Sequence, residues 1–210
     1  LNQIRISPLL SGVLVVAGTW VLGISVHRFP IAAIAGILAS TAGIVLYIHS
    51  ARELFTITSL SSWKKIILPY TFLGLISGLG LGLFYGWAYH TTLIPATLTV
   101  SAIIAPLIGI TEELVFRGYV QGIFTEFNDW KGILAGSIGH SVYKLCVIGS
   151  YPIDVGADLF YLFLFTLAAG IFFGWLRKQA RNLLPAAIAH AGFDLLIYGG
   201  LSSLPGWVWY

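Results

Sequence analysis

The chain has 210 residues, of which 58% are hydrophobic and only 9% charged, with a net charge of +3. A soluble domain is about one-quarter charged, so a globule covered by water is excluded. The charge is too small, and too scattered, for nucleic acid to be a partner. With a mean hydropathy of +0.90, the remaining class is an integral membrane protein, an all-α polytopic transmembrane helix bundle of about seven spans. The single cysteine, Cys146, leaves no pair for an internal disulfide.

Hydrophobic runs between polar breaks predict the helices in chain order. The first covers residues 9–26 and closes at His27-Arg28-Phe29-Pro30. It follows Arg5 as a signal peptide would, but it outruns an h-region and has no clear small-residue cleavage site. An uncleaved span is therefore expected. The second covers residues 31–48. A polar connection with Arg52, Glu53, Lys64 and Lys65 follows, and its middle is expected to lie along the interface. The third, residues 66–89, carries five glycines that permit close helix packing. The fourth covers 97–124, the fifth 132–148, the sixth 158–176 and the seventh 183–201. Trp207, Trp209 and Tyr210 then suit an aromatic belt. Three regions are expected: residues 1–95 with the first helices and polar loop, 96–201 as the core, and 202–210 as an aromatic tail.

Alternating these spans gathers Arg5, Arg52, Lys64, Lys65, Lys131, Arg177, Lys178 and Arg181 on one side. Only Arg28 falls in the loops of the other side, together with Asp154 and Asp158. The positive-inside rule then predicts a cytoplasmic N-terminus.

The fourth span contains Thr111-Glu112-Glu113-Leu114-Val115-Phe116-Arg117-Gly118. Ionisable residues within a span are costly and point to function. Glu113 and Arg117 are four apart and share a face, with the acid on the favourable N-terminal side. Glu112 is turned about 100° away, has no partner of its own in the sequence, and is expected to face a cavity. His140 lies in the fifth span; His190 and Asp194, again four apart, lie in the seventh. Counted at the helical rise, these groups sit between about 10 and 18 Å from the basic side, in the cytoplasmic half of the bilayer.

A carboxylate beside an imidazole in a dry pocket can activate water. A second histidine with a neighbouring donor can stabilise an oxyanion. No serine or cysteine nucleophile is evident: Ser137 and Ser141 flank His140 outside a nucleophile elbow, and Cys146 lies deeper on another face. Lys144 is expected to snorkel toward Asp154 or Asp158. Zinc is the rival chemistry, since Glu112, His140, His190 and Asp194 could hold it with an open position, although no His-Glu-x-x-His run is present. Two other classes compete: a non-enzymatic immunity or chaperone-like membrane partner, and a proton-coupled transporter. No internal repeat supports the transporter.

The run Glu112-Glu113-x-x-x-Arg117-Gly118, the later His140, and Leu183-Leu184-Pro185-x4-His190-x-x-x-Asp194 resemble the CPBP intramembrane proteases. That family includes the CAAX prenyl endopeptidases and the bacteriocin-processing or Abi-type proteins. The resemblance covers roughly residues 96–201. It implies a glutamic endopeptidase acting on a membrane-associated peptide or protein substrate, prenylated where it is of CAAX type, with no cofactor expected beyond the rival zinc. It makes Glu112 the base on water and His140 its partner. Glu113 tied to Arg117 would shape the pocket, and His190 with Asp194 would form the oxyanion side. The chain departs from the family twice. Gly136 stands where phenylalanine is usual, and Asp194 where asparagine is more common. An ionised aspartate accepts but cannot donate, so Asp194 is either protonated or only orients His190.

Overall fold

A computed structural model describes residues 7–27, 29, 31–32, 34–36, 38–40, 63–88, 93–152 and 158–205. Among these the regular structure is helical, with no strand. Helix α1 is Pro8–Ser25. Its start is built locally: Pro8 opens the first turn, where its missing N–H costs nothing, and the Ser7 hydroxyl accepts from the Leu10 N–H at 3.2 Å. A short π-helical turn, Trp63–Ile67, leads into α2, Leu68–Ala88. Helix α3 is Ser101–Glu113, a π-helical stretch follows at Leu114–Val120, and α4 is Gln121–Thr125. Helix α5 is Asp129–Ser150, capped by the Asn128 side chain, which accepts from the Trp130 N–H at 2.8 Å. Helix α6 is Leu159–Ala180 and α7 is Leu184–Tyr198.

Four helical segments, Pro8–Ser25, Lys65–Ala88, Asp129–Ser150 and Leu159–Ala180, are long and apolar enough to cross a bilayer. They fall within a few residues of the first, third, fifth and sixth expected spans. The second expected span and the polar connection after it lie largely outside the described residues. The fourth is helical only from Ser101, and a π-helical stretch interrupts it. The seventh is shorter than expected, 15 residues rather than a full crossing.

The chain forms two compact units. One contains residues 1–57 and 118–171, the other 58–117 and 172–209. In the first, α1 packs on α5 and α4 packs on α5. Hydrogen bonds between neutral groups stitch the helices together. Trp20 Nε1–H donates to the Gly139 carbonyl at 3.0 Å, and the Ser150 hydroxyl donates to the Gly23 carbonyl at 2.7 Å. The Ser11 and Tyr119 hydroxyls are bonded to each other. Such contacts hold helices together where lipid offers no hydrophobic drive.

In the second unit, α7 packs on both α2 and α3. The buried residues of α2 are Gly74, Gly78, Gly82 and Gly86, one on each turn. This bare stripe lets the α7 backbone lie directly on α2: a Cβ at Gly78 would come within 1.9 Å of the Ala189 carbonyl oxygen. Phe173 and Leu176 from the end of α6 fill the remaining core with Ala186 and Ala189 of α7. The turn from α6 to α7 puts Arg181 at φ 49°, and the Asn182 side chain accepts from the Leu184 N–H at 2.9 Å. At the far end of α7, Thr99 ties to the Gly199 carbonyl through its N–H at 2.9 Å. Both ends of α7 are thus held to its own unit.

Candidate active site

Helix α3 brings the acids and α7 the imidazole, both within the second unit. Glu112 and Glu113 occupy the last turn of α3 and are buried. Arg117 follows one turn later in the π-helical stretch and is fully buried. Its Nη1–H donates to Glu113 Oε1 at 3.1 Å, so the i, i+4 pairing read from the sequence is present. The same Glu113 oxygen lies 2.9 Å from His190 Nδ1. An ionised carboxylate only accepts, so Nδ1 carries the hydrogen and donates it. One carboxylate oxygen therefore joins a guanidinium from its own helix to an imidazole from another.

That bond fixes the ring and turns its other edge. His190 Nε2 stands 3.8 Å from Glu112 Oε2 and 3.8 Å from Asp194 Oδ2. Both distances exceed a direct hydrogen bond. The Phe173 ring closes the site on another side, its centroid 5.8 Å from that of His190. Glu112, which has no partner of its own in the sequence, stands near an imidazole here. Its neighbour, His190, comes from a helix 78 positions further along the sequence. Sequence spacing within α3 cannot reveal such a pairing.

The described geometry thus gathers Glu112, Glu113, Arg117, His190 and Asp194. His140 belongs to the other unit. It is buried on α5, its ring stacked on Tyr143 at 6.5 Å between centroids. Lys144, expected to snorkel toward acids outside, has its ammonium 5.8 Å from the Tyr143 ring centre. Tyr198 was not singled out from the sequence. It lies four residues after Asp194 on the same face of α7. The repeating interval His190, Asp194, Tyr198 was the available signal. Among the described residues, no three or more His, Cys, Asp or Glu side chains are grouped to hold a metal ion.

Residues 93–196 match a family model described as type II CAAX prenyl endopeptidase Rce1-like. This match is to the CPBP family, the one the sequence resembles. No curated protein and no solved structure matches the chain. The Rce1-like region runs from before α3 into α7 and contains Glu112, Glu113, Arg117, His140, His190 and Asp194. Helices α1 and α2 lie outside it. The family, together with the long apolar helices, makes the chain an integral membrane protein of CAAX-protease type.

Proposed function

We propose that the chain is an intramembrane endopeptidase of the glutamate type, in which Glu112 activates the water that attacks a peptide bond. The observation that supports it is the buried, ordered series Arg117, Glu113, His190, Glu112. Arg117 offsets the charge of Glu113, and Glu113 holds the His190 ring through Nδ1. Nε2 is thereby aimed at Glu112 and Asp194. A water bonded to two polar atoms 3.8 Å apart closes a triangle that neither atom closes alone.

In this reading Glu112 takes a proton from that water while its oxygen bonds to the scissile carbonyl carbon. The carbonyl π electrons move to oxygen. They return as the C–N bond breaks, and the proton goes to the leaving amine. Arg117 and Glu113 do not touch the substrate; they set the position of the imidazole. Asp194 acts by orienting His190, because a second carboxylate facing Nε2 opposes a nearby oxyanion unless it is protonated. His140 enters through the family resemblance alone, as a second group sharing the proton work.

The substrate is a membrane-associated peptide, of prenylated CAAX type by family. It enters from the cytoplasmic side, where the excess of basic loop residues places the N-terminus in a bundle of about seven spans. The test is mass spectrometry of prenylated and unprenylated peptides after incubation with purified protein and with Glu112→Gln. New fragments from the unsubstituted protein alone are expected. Equal cleavage by both proteins ends the reading. Activity that survives chelator washing is expected of a metal-free mechanism. Activity lost on washing and regained with zinc transfers the same residues to a metalloprotease.

A further inference from the structure

We propose that Gly109 is a positioning residue, whose missing side chain lets His190 and Asp194 seat against the acidic turn of α3. This rests on the protease reading above. Gly109 precedes Glu112 by three residues and Glu113 by four, so it neighbours both on the surface of α3. It is the one glycine in that helix, and glycine is the poorest helix former after proline. Packing gives the reason for it. A Cβ built at Gly109 would lie 2.2 Å from Asp194 Oδ2, 3.0 Å from His190 Cδ2 and 3.1 Å from His190 Cγ. The α2 glycines of the same unit differ: at Gly74 and Gly78 the added atom meets the α7 backbone. At Gly109 it meets the Asp194 carboxylate and the carbon edge of the His190 ring.

This difference separates position from fold. A methyl against backbone forces helices apart, whereas a methyl against a carboxylate displaces only the end of a side chain. Gly109→Ala is therefore expected to fold with Asp194 turned away and the His190 ring pushed back by a few tenths of an ångström. Its Nε2 edge then no longer addresses Glu112 as it did. Misplacement on the order of 1 Å costs an enzyme roughly 100-fold, so kcat is expected to fall by about 10- to 100-fold with KM little changed.

The experiment compares cleavage by the full protein, Gly109→Ala, Asp194→Ala and the double variant. It is accompanied by the imidazole nitrogen signals of ¹⁵N-histidine-labelled protein, which report how His190 is held whether or not peptide is cut. Because the methyl acts mainly through Asp194, Gly109→Ala should cost less than about threefold once Asp194 is alanine. A Gly109→Ala protein that cuts at the unsubstituted rate overturns the proposal, as do independent, multiplicative losses in the double variant. If the unsubstituted protein cuts no peptide, the protease reading fails by itself. The His190 signal then decides the seating: a shift in Gly109→Ala supports it and an unchanged signal overturns it. Should Gly109→Ala fail to fold, recovery of folding in the double variant supports the proposal, and failure of both overturns it.

Discussion

The two units bury different kinds of polar group. Among the described residues, the buried polar groups in the unit of α1, α4 and α5 include no carboxylate and no guanidinium: Ser11, Thr19, Ser25, Gln121, Ser137, His140, Ser141 and Ser150. In the unit of α2, α3 and α7 they include three carboxylates and a guanidinium, Glu112, Glu113, Asp194 and Arg117, beside His190. The hydroxyls of Thr19, Ser25, Ser137 and Ser141 donate back to carbonyls of their own helices, while Ser11 and Ser150 bond across helices. Buried charges demand partners and give little net stability in return. The contrast teaches that one unit satisfies its buried hydroxyls with neutral bonds within and between helices, while the other retains charge that stability alone does not require.

Glu112 offers the sharpest way to break this contrast. Its Oε2 stands 3.8 Å from His190 Nε2, and Glu112→Gln keeps the side chain's size, so the variant is expected to fold and to lower cleavage by about 10³- to 10⁴-fold. Peptide turnover and a melting curve of the same preparation check both halves. A large loss of stability with that substitution would make Glu112 a structural residue.

Glu113 should respond differently, because it carries both the Arg117 and the His190 bonds. Glu113→Gln strands a buried guanidinium and is expected to destabilise the protein by about 3–5 kcal/mol. Combining it with Arg117→Met removes the stranded charge and should recover most of that loss. Denaturant or thermal unfolding in detergent measures the recovery. Activity is not expected to return with stability, since the His190 ring has lost its anchor.

The neutral unit should be far more forgiving. Ser150→Ala deletes one hydroxyl bond to the Gly23 carbonyl, and Trp20→Phe one indole bond to Gly139. Each is expected to cost about 1 kcal/mol and to leave peptide turnover per folded molecule unchanged. A fall in turnover comparable with that of Glu112→Gln would erase the division between the two units.

The sequence makes one half of this picture legible. Long apolar runs give the helices because a chain with so few charges has no other way to satisfy its backbone in lipid. The i, i+4 spacing gives the Glu113–Arg117 and His190–Asp194 pairs because one turn of helix brings such residues together. It does not give the joining of the pairs through His190 Nδ1 and Glu113 Oε1. That contact depends on which faces of α3 and α7 meet, and the α2 glycine stripe helps set this from a third helix. The π-helical stretch at Leu114–Val120 is hidden for another reason. Seven residues are too few for their apolar pattern to distinguish it from an α-helical turn, although such stretches are frequent at functional sites. Gly109 reads as one more packing glycine until the atoms in front of it are known.

The smallest expected effect belongs to the neutral unit and tests whether His27, at the end of α1, matters to stability. His27 follows the end of α1, and Tyr151, after α5, meets its ring edge-on with centroids 4.8 Å apart. Partial burial lowers its pKa below the ordinary histidine value. Burial disfavours the charged imidazole, so the unfolded chain binds the proton more readily than the folded one. Stability from keeping His27 neutral is therefore complete above the ordinary histidine range and is lost as pH falls through the lowered value. His27→Phe keeps an aromatic edge for Tyr151 and removes the titration. Between about pH 8 and pH 5 the unsubstituted protein should lose slightly more thermal stability than the variant. The difference between the two melting profiles isolates this group from the carboxylates that titrate lower. Parallel profiles would mean that the His27–Tyr151 contact tolerates the imidazolium, and that acid sensitivity lies with the charged unit alone.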